Sequence, residues 1–262
     1  MRENGAKFQN YMQAEMLKYK HTAVGKLTIL MPLICVAMSA VLTHIYFAVD
    51  GYNWWYTGMY TGFLALICGI ISEKEKKMGN RAVHSLPCDM KKLWDAKVCY
   101  GLLMSAGAMV FLTVVIIAVA FLLETVLQVN FILRPSLLEQ LAACVLLWLS
   151  FCWQIPWCLF LAQIIGRIPM LILHFVGTEL MAIILSLSPI YMFFPGAIGA
   201  RMMCPLLKIM PNGLPAQTGE MTFAPRLINP SSIPIGIAAS VLWLLMIWGI
   251  TRIWYQRRVE KA

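Results

Sequence analysis

Residues 98–123 read VCYGLLMSAGAMVFLTVVIIAVAFLL, twenty-six residues without a formal charge. At ~1.5 Å rise per residue a helix of that length exceeds the ~30 Å of bilayer hydrocarbon. Five further runs, 27–48, 54–72, 140–165, 168–194 and 234–254, have the same character and are 19 to 27 residues long. Together they predict an all-α membrane protein: six transmembrane helices in one domain spanning 1–262. Composition agrees, with 60% hydrophobic and 13% charged residues and a mean hydropathy of +0.74, where a soluble domain carries about 25% charged residues.

The connections are short. The longest, 195–233, and the loop 73–97 fall below the ~50 residues of a compact soluble domain. No G-x-x-x-x-G-K-[ST] phosphate loop occurs. Energised work by this chain therefore draws on another chain or on an ion gradient. Seventeen of the 21 Lys and Arg residues lie in the N-terminal segment, in 73–97, at Arg167 or from Arg252 onward, which places both termini and the 73–97 loop in the cytoplasm. The net charge of +9 then reads as topology and attraction to anionic lipid heads, with no nucleic-acid footprint. Run one is too long for the apolar region of a signal peptide and follows 26 mostly polar residues, so it is read as a retained span.

Smaller features refine this. Residues 6–20 place Phe8, Tyr11, Met12, Met16 and Tyr19 on one helical face, which suits either a helix lying in the cytoplasmic interface or one packed on the bundle. Tyr52, Trp54, Trp55 and Tyr56 follow a short outer turn and are expected at headgroup level. Pro87 ends a short helix in the most charged segment, and Asp89 caps a helix running into run three. Pro156 kinks run four, whose Trp148, Trp153 and Trp157 face lipid or pack. Cys35, Cys68, Cys99, Cys144, Cys152 and Cys158 sit in apolar runs as packing residues, whereas Cys204 lies outside them.

Glu179 is the charged residue deep in a span, and His174 precedes it by five positions. A carboxylate at mid-membrane costs roughly 2.5–3.5 kcal/mol, so Glu179 should face the bundle interior, as part of a path or gate or as a structural contact. His174 and His44 read as structural. Five positions point His174 and Glu179 about 140° apart on a helix, a poor joint metal site. In the outer stretch, AIGARMMCPLLKIM (197–210) is apolar but too short to span. It is expected to lie in the interface or re-enter, its methionines forming an adaptable apolar surface or a cap over the helix ends. PNG (211–213) and INPSSIP (228–234) mark turns. No hydrolase, zincin or paired-carboxylate motif appears, which disfavours an intramembrane enzyme. The remaining classes are an ATPase-driven permease, an ion-coupled carrier, and a scaffold or sensory partner without transport.

Three stretches carry a resemblance: AEMLKYKHTAVGKLTILMPL (14–33), YNWWYTGMYTGFLALICGIISEKEKK (52–77) and NRAVHSLPCDMKKLWDAKV (80–98). In these the chain resembles the permease subunits of type-2 ABC exporters, specifically lantibiotic self-immunity permeases of the MutE/EpiE kind. The specific likeness covers roughly the first 100 residues. It implies a bacterial plasma-membrane permease that binds no cofactor itself and pairs with a second, similar permease. Two copies of a separate ATPase subunit would hydrolyse ATP beneath them, and the substrate would be an amphipathic antimicrobial peptide. It further implies ATPase coupling through residues 80–87, with Arg81 meeting acidic groups, Val83 and Leu86 entering an apolar cleft, and Ser85 and Pro87 forming the turn. Runs two and five with the 195–233 cap would wall the peptide path.

Overall fold

The computed structural model describes residues 7–77 and 89–259. Within them six helices are long and apolar enough to cross a membrane: Ala23–Leu42, His44–Glu73, Met90–Thr125, Leu137–Ile164, Arg167–Leu185 and Ser232–Arg257. The protein is an all-α, six-span membrane protein. A short amphipathic helix, α1 (Phe8–Tyr19), precedes α2 (Ala23–Leu42). A 3-10 turn at His44–Tyr46 leads into α3 (Phe47–Trp54), which continues through an irregular segment, Trp55–Met59, into α4 (Tyr60–Lys77).

Span one ends six residues earlier than its apolar run, because the backbone leaves the helix at Thr43. The chain then turns back at once, so residues 47–53 enter the bundle and are all buried. Gly51 permits this: a Cβ there would stand 2.9 Å from the Ile116 side chain. Tyr52, Trp55 and Tyr56 are consequently core residues, not a headgroup belt, and Trp54 is partly buried. Trp55 stacks on Tyr60, Tyr60 stacks on Phe151 at 4.8 Å, and the Tyr60 hydroxyl meets Ser105 Oγ at 2.6 Å. Aromatic pairs of this kind add about 0.5–1.5 kcal/mol beyond the area they bury.

The third span is α5 (Met90–Thr125), capped as expected by Asp89, whose Oδ1 accepts from the N–H of Lys91 (2.9 Å) and Lys92 (3.3 Å). The fourth is α6 (Leu137–Phe151) followed by α7 (Gln154–Ile164). Ser136 and Glu139 form a reciprocal capping box at the start of α6. The expected break appears at residues 152–153, where Pro156 has no N–H for the Cys152 carbonyl and Ile155 N–H donates to it instead, at 3.2 Å. Trp148 and Trp153 pack rather than face lipid: Trp148 Nε1 donates to Leu102 O, and Trp153 meets the His174 ring edge-on.

Span five is α8 (Arg167–Leu180) extended by a wider turn, Met181–Leu185. It stops nine residues short of its apolar run, because Pro189 disfavours helix at the residue before it. The outer stretch then forms α9 (Pro195–Leu207), buried from Gly196 to Cys204 between α6, α8 and the last span, α10 (Ser232–Val259). α9 is thus packed inside the bundle and not laid on its surface. A Cβ on Gly199 would lie 2.7 Å from the Phe151 ring, so only glycine lets α9 seat this closely on α6. Met202, Met203 and Met210 are fully buried; they fill the core rather than forming a surface. Cys204, placed outside the apolar runs by the sequence, is buried with them. Beyond the left-handed Lys208, the chain doubles back around Pro211–Gly213, tied by Met210 N–H to Leu214 O and Ala216 N–H to Lys208 O, both 2.8 Å.

Candidate functional site

Span two is the packing centre, with α4 against both α7 and α8. It is also broken at mid-length, since Thr57 and Gly58 leave helical geometry. Span five carries its own wide turn at Met181–Leu185. Irregular turns inside helices gather at functional sites because they free backbone groups and re-aim side chains. Glu179 sits beside the second irregularity, facing α4, where the Thr61 hydroxyl lies opposite it. Both carboxylate oxygens are shielded and have no hydrogen-bond partner, and neither has Thr61 Oγ1. Glu179 thus points inward, as the cost of a mid-membrane carboxylate requires.

His174 faces a different neighbour. Its Nε2 meets Gln154 Oε1 at 3.0 Å and its Nδ1 meets Thr178 Oγ1 at 3.5 Å. Because an amide oxygen only accepts, Nε2 carries the proton that faces Gln154. Both nitrogens are occupied, a structural arrangement, and the residue points at α7 while Glu179 points at α4. His44 is exposed at the turn between spans one and two. Among the described residues no group of three His, Cys, Asp or Glu side chains could hold a metal ion. The coupling residues Arg81, Val83, Ser85, Leu86 and Pro87 lie outside the described residues.

Four buried charged residues, Asp50, Arg201, Glu15 and its partner Lys97, escaped the sequence reading. Asp50 is one; the runs ended at 48 and began again at 54, which left it in a supposed outer turn. It is instead on α3, buried, with Oδ1 unpartnered. Asn53, one turn along, has an unpartnered Oδ1, and the Tyr52, Tyr56 and Thr113 hydroxyls are unpartnered nearby. The missed signal was the unbroken helix-compatible stretch 44–56, which contains no proline. Arg201 on α9 is similarly buried. It donates to Arg226 O and lies 5.3 Å from the Tyr191 ring centroid, and its Nε and Nη1 have no acceptor. Burial pulls its guanidinium below the usual range and pushes the Cys204 thiol, one turn on, up to about 12.

The third is Glu15. The buried face of α1 is Tyr11, Glu15 and Tyr19, whereas Phe8 and Met16 of the expected apolar stripe are exposed. Glu15 Oε1 accepts from Lys97 Nζ at 3.2 Å, and Lys97 is itself buried on α5. Tyr11 Oη accepts from Asp89 N–H at 2.9 Å, Tyr19 Oη donates to Ile71 O at 3.0 Å, and the Tyr19 and Tyr100 rings stack at 5.0 Å. So α1 packs on the bundle and is bonded both to the end of span two and to the start of span three.

These features define a multi-pass membrane protein with unpaired polar groups inside its bundle. Comparison with known protein families, curated proteins and solved structures returned no match.

Proposed function

We propose that the chain is the permease subunit of a type-2 ABC exporter in a bacterial plasma membrane, expelling an amphipathic antimicrobial peptide of the lantibiotic kind. A separate ATPase would supply the energy, and a second, similar permease would complete the path. The observation that supports this reading is the strap made by α1. The segment 78–88 leaves span two and enters span three, and α1 is bonded on both sides of it, at Ile71 and at Asp89 and Lys97. A push delivered to that segment by a docked ATPase would reach two spans already tied together, and packed helices move as rigid bodies. Affinity purification of the tagged chain from its host membrane is the test. Recovery of one ATPase and one six-span partner, lost in Leu86→Asp at normal expression, is the expected result. Recovery of the chain alone, in a detergent shown to preserve such complexes, would sink the assignment.

A second reading, an ion-coupled carrier, is favoured by one observation: two carboxylates inside the bundle, Asp50 buried and Glu179 half-buried, keep shielded oxygens without hydrogen-bond partners, Oδ1 of the first and both oxygens of the second. It requires Glu179→Gln to abolish peptide resistance, and full resistance in that variant would remove it.

A further inference from the structure

Spans two and five run antiparallel at close range. A Cβ on Gly69 would stand 2.8 Å from the Arg167 side chain, and one on Gly58 or Gly62 would stand 3.9 or 3.8 Å from the Phe175 ring. The same register carries Glu179, one turn beyond Phe175, to the level of Thr57 and Gly58, where span two leaves helical geometry. Glu179 thus lies level with the break in one helix and just before the wide turn Met181–Leu185 of the other. Side chains on a helix lean toward its N-terminus, which brings the carboxyl back to Thr61, a fully buried residue.

What this place lacks is a donor. Oε1 and Oε2 of Glu179 and Oγ1 of Thr61 are all shielded, and none has a hydrogen-bond partner. Glu179 takes part in no ion pair among the described residues. The break adds a further acceptor: Tyr60 N–H bonds Trp55 O, which releases the Tyr56 carbonyl from its α-helical donor. Interrupted membrane helices present such carbonyls to monovalent cations.

The chemistry of the set selects its occupant. A proton on Glu179 adds a single donor and leaves part of the set bare. Water needs room for its own volume and is kept from atoms shielded this closely. Calcium takes about six to eight oxygens, and one carboxylate balances only one positive charge. A bare monovalent ion smaller than water meets all the oxygens at once, and oxygen ligands suit a hard cation.

We infer that Glu179 and Thr61, with backbone carbonyls freed at the Thr57–Gly58 break, form a sodium-binding site between spans two and five. The test uses the purified full chain in mild detergent, in sodium, potassium or choline chloride at equal concentration. Binding of radioactive sodium is measured by equilibrium dialysis, and stability by the thermal unfolding midpoint. The wild type should bind sodium saturably, one ion per chain. Its midpoint should rise by about 3–6 °C over choline at ten times the dissociation constant, and by less in potassium.

Glu179→Gln keeps the shape and Thr61→Val removes only the hydroxyl. Each should lose the bound sodium and the sodium-dependent rise, while unfolding in choline no lower than the wild type, which shows that it is folded. Asp50→Asn, the same change made to the other carboxylate of span two, should keep both. Absence of saturable sodium binding in the wild type would overturn the inference, as would a rise that is equal in potassium or survives in Glu179→Gln. Loss of binding in Asp50→Asn with retention in Glu179→Gln would move the ion to Asp50 and overturn the assignment as well. Neither readout needs an ATPase or transport, so the outcome stands apart from both functional readings.

Discussion

At the end of the bundle that carries α1, charged side chains come with partners. Glu15 holds Lys97, Glu73 holds Arg167 at 3.0 Å, and Asp95 holds Arg252 at 2.7 Å while accepting from Trp248 Nε1. Deeper in the bundle and toward α9 the ion pairs give out. Asp50, Glu179 and Arg201 have no oppositely charged partner among the described residues and keep shielded polar atoms without hydrogen bonds, whereas the atoms left so at the first end, Glu15 Oε2 and Arg252 Nε, belong to ion-paired side chains. A satisfied polar network fixes one geometry, whereas an unpaired buried group is costly and gains whenever a rearrangement or a ligand satisfies it. The difference teaches where the protein is built to be rigid and where to change.

The sharpest way to break this contrast is Lys97→Met. It leaves Glu15 buried with only the partly buried Lys18 beside it, and removing one partner of a buried pair costs about 3–5 kcal/mol. Unfolding in mixed micelles should show a loss of that order. The double variant Glu15→Gln, Lys97→Met should recover most of it, because the penalty belongs to the stranded charge. A Lys97→Met protein as stable as wild type would mean that the strap is not fixed by charge.

Next in size is Gly199→Val, a test of how firmly α9 is seated. The added atoms meet Phe151 and Ser150 at under 3 Å, and overpacking of this kind costs about 1–3 kcal/mol. Cysteine accessibility sharpens the reading: Cys204, buried in the wild type, should become reactive toward a small maleimide as α9 lifts. Unchanged reactivity would show that the bundle absorbs the volume without moving α9. Smaller again is Tyr19→Phe, which removes the hydroxyl donated to Ile71 O but keeps the stacked ring. One hydrogen bond of this sort is worth about 1 kcal/mol, and proteolysis of the N-terminal segment should quicken by about fivefold if that bond holds α1 down.

The six spans were legible because each is a long run of apolar residues, a signal independent of tertiary contacts. The Asp89 cap and the Pro156 break were legible for the same reason, being chemistry of one or two residues. What was lost depended on partners distant in sequence. Aromatics at 52–56 belong equally to a headgroup belt or a core, and only the return of α3 against Ile116 decides. The face of α1 was read from its aromatics, but Lys97, 82 positions away, decides that Glu15 is buried. Glu179 was legible as an inward-facing acid because the membrane alone dictates it. Asp50 was not, because its depth depends on where span one stops, and the Thr43 turn carries no strong sequence mark.

The smallest effect on stability, and the one that separates the two halves most cleanly, belongs to Asp50→Asn. The replacement keeps the shape and removes a negative charge that no cation among the described residues balances. An unpaired carboxylate in a low-dielectric interior opposes folding whenever it ionises, so Asp50→Asn should leave stability in mixed micelles unchanged or raised. Glu15→Gln, the same chemical change made to a paired carboxylate, should lower it. Equal losses in the two variants would mean that Asp50 has a partner the native bundle needs, and the contrast between a fixed end and an adaptable half would fail. With stability preserved, any loss of peptide resistance in Asp50→Asn can be assigned to the unpaired group itself and not to the fold that carries it.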